Sequence, residues 1–289
     1  MLTRCGIAFL RLIANWPLAW VRALGWALGW LLYVATPARR RVVQTNLRLC
    51  FGQLTAAQIR ALSQRVFVRF AQALLDRSWL WHGDPKRLRQ RLHISGALDA
   101  LQGTQPTVLF APHFMGLDAG WTALTLHWPA RCMSTIYTRQ ANHIADRWML
   151  AGRRRFGQAR LFSRNQGASR IVAALRAGEV LYLLPDMDFG VQDSVFVPFY
   201  GVLAATVPSL SRFARLGRAQ VLPVITQLNA TGYHVQVLAA WPNFPSEDSV
   251  ADTAAMNLQL QTWIDRMPEQ YYWVHKRFKH RPAGQASVY

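Results

Sequence analysis

The chain has 289 residues, 52% of them hydrophobic and only 16% charged, a balance that excludes a disordered protein and leaves room for one large core. Lysine and arginine outnumber aspartate and glutamate 33 to 14, so the net charge of +19 calls for an anionic partner: a phospholipid surface, an acidic carrier protein or a nucleic acid. Trp16, Trp20, Trp26 and Trp30, crowded among hydrophobic neighbours, favour the membrane, because indole rings settle at the headgroup level, and no nucleic-acid docking motif is present.

Residues 6–36 are strongly apolar but interrupted by Arg11, Asn15, Pro17 and Arg22, and the cleanest run, 23–36, is short for an unaided span. Arg4, Arg11, Asn15 and Arg22 share a narrow stripe at the helical period, which suits a helix lying in the interface, with Pro17 separating two helical pieces. A tilted span from Leu18 with Arg22 snorkelling fits the same residues, and both readings stay open. Gly25 and Gly29 match a small-xxx-small motif, for which ordinary close packing is the simpler account. No small-residue cleavage site is evident, so no removed signal peptide is expected. Arg39 to Arg41 and Arg48 mark the cytoplasmic side, and the body of the chain with it. Cys5, Cys50 and Cys132, odd in number and far apart, show neither a disulfide framework nor zinc spacing and fit a reducing compartment. The expected division is a membrane-associating segment at 1–37 and a single domain at 38–289.

Thr55 to Gln58 reads as a capping box opening an amphipathic helix toward Trp81, which ends at Gly83-Asp84-Pro85. From Leu92 onward strands alternate with helices, near 92–95, 107–111, 131–137, 159–162, 179–184 and 219–226, which is α/β patterning. A late, partly antiparallel strand is expected at 233–238 and a final helix at about 250–267.

Chemistry-bearing residues collect at the carboxyl ends of these strands, where open α/β folds place their sites. His113 and Asp118 follow the strand at 107–111. On one continuous helix residues five apart lie roughly 140° apart and would not meet. With Pro112 ending the strand and a helix beginning near Gly116, the bend lets the carboxylate accept from one imidazole nitrogen and leaves the other free as a base. The ordinary alternative is a buried histidine beside an aspartate that stabilises a helix start. Asp186 and Asp188, in Leu184-Pro185-Asp186-Met187-Asp188-Phe189-Gly190, stand at the end of another buried strand. They read as a solvated turn, as substrate contacts, or as the DxD metal site of a glycosyltransferase, the last unsupported by any glycine-rich phosphate loop. The scattered histidines offer no ligand spacing, so no metal and no cofactor is expected. In the basic band from Arg139 to Arg176 most members fit a solvated face. Arg139 and Arg164 closely follow strands and are placed to bind a phosphate or carboxylate. The hydrophobic run 194–206 reads as buried core or as the wall of a fatty-chain pocket.

Taken together these residues resemble the bacterial lipid A late (secondary) acyltransferase family, within the lysophospholipid and glycerolipid acyltransferase superfamily. The matching positions are His113-Phe114 through Asp118, Tyr137 with Arg139 and Asn142, Arg164, Gly178-Glu179, Pro185 to Gly190, Ser194 to Pro198, Ala204-Ala205-Thr206, and the tail from Pro268 to Lys279 with Arg281-Pro282. The resemblance covers nearly the whole chain. It implies one glycerolipid-acyltransferase-like domain with a mixed, mainly parallel central sheet flanked by helices, plus an N-terminal membrane helix. It also implies an enzyme on the cytoplasmic face of the inner membrane that moves a fatty acyl group from an acyl carrier protein thioester to a hydroxyl of a lipid A precursor. His113 would take the hydroxyl proton, Asp118 would orient the imidazole, and basic residues would hold phosphates. Backbone N–H groups near Gly116 and an arginine are both candidates for the oxyanion donor. The lipid A branch frequently carries Glu where this chain has Asp118, and Met187 replaces a polar residue. An ornithine lipid or lysophospholipid is therefore the alternative acceptor, and a non-catalytic membrane-surface lipid-binding protein the alternative of another class.

Overall fold

In a computed structural model, which describes residues 1–164 and 167–289, the chain forms α1 (Leu2–Leu12), α2 (Leu18–Ala35), α3 (Pro37–Cys50), α4 (Ala56–His82) and α5 (Pro85–Arg91). There follow β1 (Leu92–Gly96), β2 (Thr107–Phe110), α6 (Leu117–His127), β3 (Cys132–Tyr137), α7 (His143–Arg153), β4 (Gln158–Ser163), α8 (Ala168–Arg176) and β5 (Val180–Leu183). The chain closes with β6 (Val195–Phe199), β7 (Val202–Thr206), α9 (Ser209–Gly217), β8 (Gln220–Asn229), β9 (Gly232–Val237) and α10 (Ser249–Arg266).

Seven strands make one sheet in the order β1-β9-β8-β2-β5-β3-β4, in which only the β8–β9 pairing is antiparallel. The expected α/β architecture, with a mixed, mainly parallel sheet flanked by helices, is what forms. Side chains alternate across it. Val108 and Phe110 of β2 enter a core shared with α8, α9 and α10, whereas Leu109 enters the opposite core with α6 and the end of α4. Burial on both faces explains why the inner strands read as short, continuous apolar runs.

Three elements depart from the expected pattern. Helix α3 begins with proline in its first turn, and its buried Asn46 donates to the carbonyls of Trp273 and His275 at 2.8 Å each, tying the C-terminal tail to the body. The long helix ends at Gly83 as expected, and beyond it proline opens α5, a helix the pattern did not show, which Asp84 caps by accepting from the N–H of Lys86. The run 194–206 is a hairpin, turned at Tyr200-Gly201, both with positive φ, and it buries Val197, Phe199, Ala204 and Ala205.

Helix α4 carries the expected capping box and supports the N-terminal helices. Val21, Gly25, Gly29 and Tyr33 form the buried stripe of α2, and a methyl group on Gly29 would stand 2.5 Å from Val68 Cα of α4. The two glycines therefore pack within the chain. Arg22 faces inward as well. It pairs with buried Asp76 at 3.1 Å and donates to the carbonyl of Gly232, so it does not snorkel along a free span. The outer side of α2 exposes Trp20, Trp26, Trp30, Leu31 and Val34. By length and composition alone, α2 suffices to cross a membrane.

Candidate active site

Strands β2 and β5 are parallel neighbours with Phe110 opposite Leu183, and each is followed by a residue, a proline and a polar group: Ala111-Pro112-His113 and Leu184-Pro185-Asp186. Equal spacing beyond a shared register brings His113 and Asp186 together. Asp186 Oδ1 accepts from His113 Nδ1 at 2.8 Å and Oδ2 from the His113 backbone N–H at 3.0 Å, while the Tyr271 hydroxyl donates to Oδ2 at 3.0 Å. Burial would raise this carboxyl, but the facing imidazole and these hydrogen bonds outweigh it and hold Asp186 below the usual carboxylate range. An ionised carboxylate only accepts, so Nδ1 carries a proton, and in the neutral ring Nε2 keeps the lone pair, with no partner among the described residues. The His113 loop is also held from the tail: Met115 N–H donates to the Gln270 carbonyl and Tyr272 N–H to that of His113.

This geometry corrects the expected pairing of His113 with Asp118. Asp118 lies in the first turn of α6, on a face turned toward α4 and α7. Its Oδ2 accepts from Arg77 Nε at 2.9 Å and Nη2 at 2.8 Å, and its Oδ1 from Arg153 Nε and Nη2 at 2.9 Å each. Burial pushes this carboxyl up, and the two guanidinium groups more than reverse that. Two cations on one carboxylate leave a net positive cluster. Arg153 was one of the band expected to be solvated, and Arg77 carried no sequence signal because it sits inside an amphipathic helix.

His113, Asp118, Arg77 and Arg153 line one cavity of about 700 Å³, with Phe70, Leu117, Trp121, Ile136, Tyr137 and Met149 among its apolar walls. Arg164 lines it too, its guanidinium 4.5 Å from the centre of the half-exposed Phe189 ring. Arg139 does not reach it. That side chain is exposed and approaches His143. Asp186 and Asp188, expected to touch substrate, are buried and absent from the lining. Asp188 accepts from the backbone N–H and Nδ1 of His280 at 2.9 and 2.7 Å and from the N–H of Gly190 at 3.0 Å. The two carboxylates thus serve different histidines and do not converge as a metal site would require. The hairpin 194–206 is core and contributes nothing to the cavity wall. A residue without any expectation, His275, stands in the lining, with Nε2 3.2 Å from the Asp188 carbonyl.

The chain is similar to several known proteins. The family described as bacterial lipid A biosynthesis acyltransferase matches residues 1–280. A lipid A biosynthesis acyltransferase of Haemophilus influenzae is 31% identical over 285 residues, covering 97% of this chain and 88% of its own. The lipid A biosynthesis palmitoleoyltransferase of Escherichia coli is 30% identical over 295 residues, covering 100% and 94%. The crystal structure of a 1-acyl-sn-glycerophosphate acyltransferase from Thermotoga maritima superposes with a TM-score of 0.40 at 10% identity, covering 85% of this chain and 97% of that one.

Proposed function

The chain belongs to the bacterial lipid A biosynthesis acyltransferase family, and from its site we propose that it moves a fatty acyl group from an acyl carrier protein thioester to a hydroxyl of a lipid A precursor, with His113 as general base. The observation that carries this reading is Nε2 of His113, without a partner among the described residues, beside the cavity, with Nδ1 locked on ionised Asp186. A hydroxyl is a weak nucleophile at neutral pH, so it must lose its proton as it attacks. His113 Nε2 takes that proton while the oxygen bonds to the thioester carbonyl carbon. Asp186 steadies the imidazolium that results. The tetrahedral intermediate then expels the thiolate, which recovers the proton from His113.

Asp118 has a different part in this reading. It fixes Arg77 and Arg153, whose remaining N–H groups suit an oxyanion or a phosphate. Arg164 at the cavity lining suits a phosphate of either substrate. The apolar walls suit the acyl chain, each buried methylene contributing roughly 0.8 kcal/mol. The exposed tryptophan and leucine side of α2, with Leu2, Phe9 and Leu12 of α1, suits attachment of residues 1–37 to the cytoplasmic face of the inner membrane.

The test is His113→Ala in membranes, read by mass spectrometry of lipid A. Transfer is expected to vanish while folding and membrane association persist. Transfer that continued at the wild-type rate would remove the base from the mechanism, and a mass shift on another lipid would change the acceptor.

A further inference from the structure

We propose that His275 is a substrate contact in the same cavity, its Nδ1 accepting a hydrogen bond from an O–H or N–H of the molecule held against His113. This deepens the reading of His113 as the base and rests on it.

The loop from Pro185 to Asp188 organises three imidazoles in two ways. The Asp186 carboxylate accepts from Nδ1 of His113, the Asp188 carboxylate accepts from Nδ1 of His280, and the Asp188 main-chain carbonyl faces His275 Nε2 at 3.2 Å. Of the three, only His113 and His275 line the cavity. A carbonyl oxygen can only accept, so the proton of His275 is on Nε2 and the neutral ring keeps its lone pair at Nδ1. That nitrogen has no hydrogen-bond partner among the described residues. Burial first, then the neighbouring His113 and the Arg277 guanidinium, lowers the affinity of the ring for a second proton. A neutral imidazole in this tautomer cannot hold an anion through charge. It can only receive a polar hydrogen.

The ring is also held in place. The His275 N–H donates to the Tyr272 carbonyl at 3.2 Å, the Tyr272 N–H donates to the His113 carbonyl at 3.0 Å, and Asn46 Nδ2 donates to the His275 carbonyl at 2.8 Å. Two residues on, buried Arg277 donates to the Ala205 carbonyl and the Thr206 hydroxyl at 2.8 and 2.7 Å. The two histidines are therefore fixed relative to each other through a short stretch of backbone, as two groups that grip one substrate must be. In acyl transfer from a carrier thioester, polar hydrogens come from the hydroxyls of a sugar-based acceptor and from the amides of a pantetheine arm.

Three variants separate these roles. His275→Gln preserves a donor toward the Asp188 carbonyl but lacks the acceptor at the Nδ1 position. His275→Asn places its carbonyl oxygen near that position, and His275→Phe lacks both. With dodecanoyl acyl carrier protein and a purified lipid A precursor, the Gln and Phe variants are expected to lose about tenfold in kcat/KM, and Asn to recover most of it. A KM rise confined to the precursor identifies a hydroxyl, and one confined to the carrier thioester identifies a pantetheine amide. Wild-type kcat/KM in both Gln and Phe, or an Asn variant as impaired as Phe, would overturn the proposal. His113→Ala measured in parallel keeps the two ideas apart, since full activity there strikes at the base and not at His275.

Discussion

His113 donates to Asp186 twice, from Nδ1 at 2.8 Å and from its backbone N–H at 3.0 Å, so this carboxylate sets both the tautomer and the position of the ring. Asp186→Asn places an amide where an acceptor-only group stood, and the imidazole loses the partner that stabilises its charged form. We expect kcat to fall by about 10²–10⁴ with KM little changed, as when a catalytic histidine loses its orienting carboxylate. Steady-state kinetics of the purified variant checks this. A fall in kcat/KM carried by KM alone would instead make Asp186 a binding residue.

Asp118 carries a dependence on pH. Its folded carboxyl is held below the ordinary value of 3.8, so the unfolded chain binds the proton more readily and stability rises with pH across that window. The contribution is complete above the ordinary value and is lost as pH falls through the depressed one. Thermal unfolding of the wild type followed from about pH 6 down to about pH 3 should steepen at the acid end, and Asp118→Asn should flatten it. The variant also leaves Arg77 and Arg153 without their shared anion, so its melting temperature should drop at neutral pH. An unaltered acid limb would mean that the two guanidinium groups do not hold this carboxylate in solution.

The strands could be read from the sequence because the inner ones are buried on both faces, and the helix at Leu117 because Pro112 and Gly116 bracket a turn. The partner of His113 was harder, since it depends on β2 and β5 being neighbours although 73 residues separate the paired groups. One signal was present: Pro112-His113 and Pro185-Asp186 repeat the same strand, proline and polar-residue order. Nothing local marks Arg77, whose role arises only where α4 crosses α6. His275 lay in plain view in an aromatic tail, but its lone pair follows from the Asp188 carbonyl and is invisible without the fold.

Arg164 and Arg139, alike in sequence, separate in space. The first lines the cavity against Phe189 and the second is exposed outside it. Arg164→Ala should raise KM for one substrate about tenfold, the worth of a charge-assisted hydrogen bond. Arg139→Ala should stay close to wild type. Equal effects in a paired kinetic comparison would contradict this division.

Trp121 marks where the cavity ends. Along α6 the lining runs through Leu117 and Asp118 to Trp121 and no farther, and along β3 it stops at Thr135. The Trp121 indole is buried and donates to the Arg153 carbonyl at 2.7 Å, which fixes its position in the lining. Trp121→Ala should shift preference toward longer acyl donors, by about fourfold for each further methylene the enlarged space admits. Trp121→Phe, which gives up the hydrogen bond but keeps most of the bulk, should hold the original preference. A series of acyl carrier protein thioesters of increasing chain length reads both. Should Trp121→Ala lower all rates equally, the wall that limits chain length lies elsewhere.

The inward-facing Arg22 makes α2 part of the body, and two substitutions test that attachment in opposite ways. Arg22→Ala leaves Asp76 fully buried beside the hydroxyl of Tyr233 and the indole of Trp79 with its paired cation gone, a loss of about 3–5 kcal/mol for a buried pair broken on one side. Gly29→Val acts by volume alone, since even its Cβ would meet the backbone of Val68 at 2.5 Å and α2 must lift from α4. Both should lower the unfolding temperature in detergent and raise protease cleavage between α2 and α3, whereas Trp26→Ala, on the outer side, should leave both readings unchanged and weaken only association with vesicles. If Gly29→Val unfolded at the wild-type temperature, the packing of α2 on α4 would contribute nothing to stability.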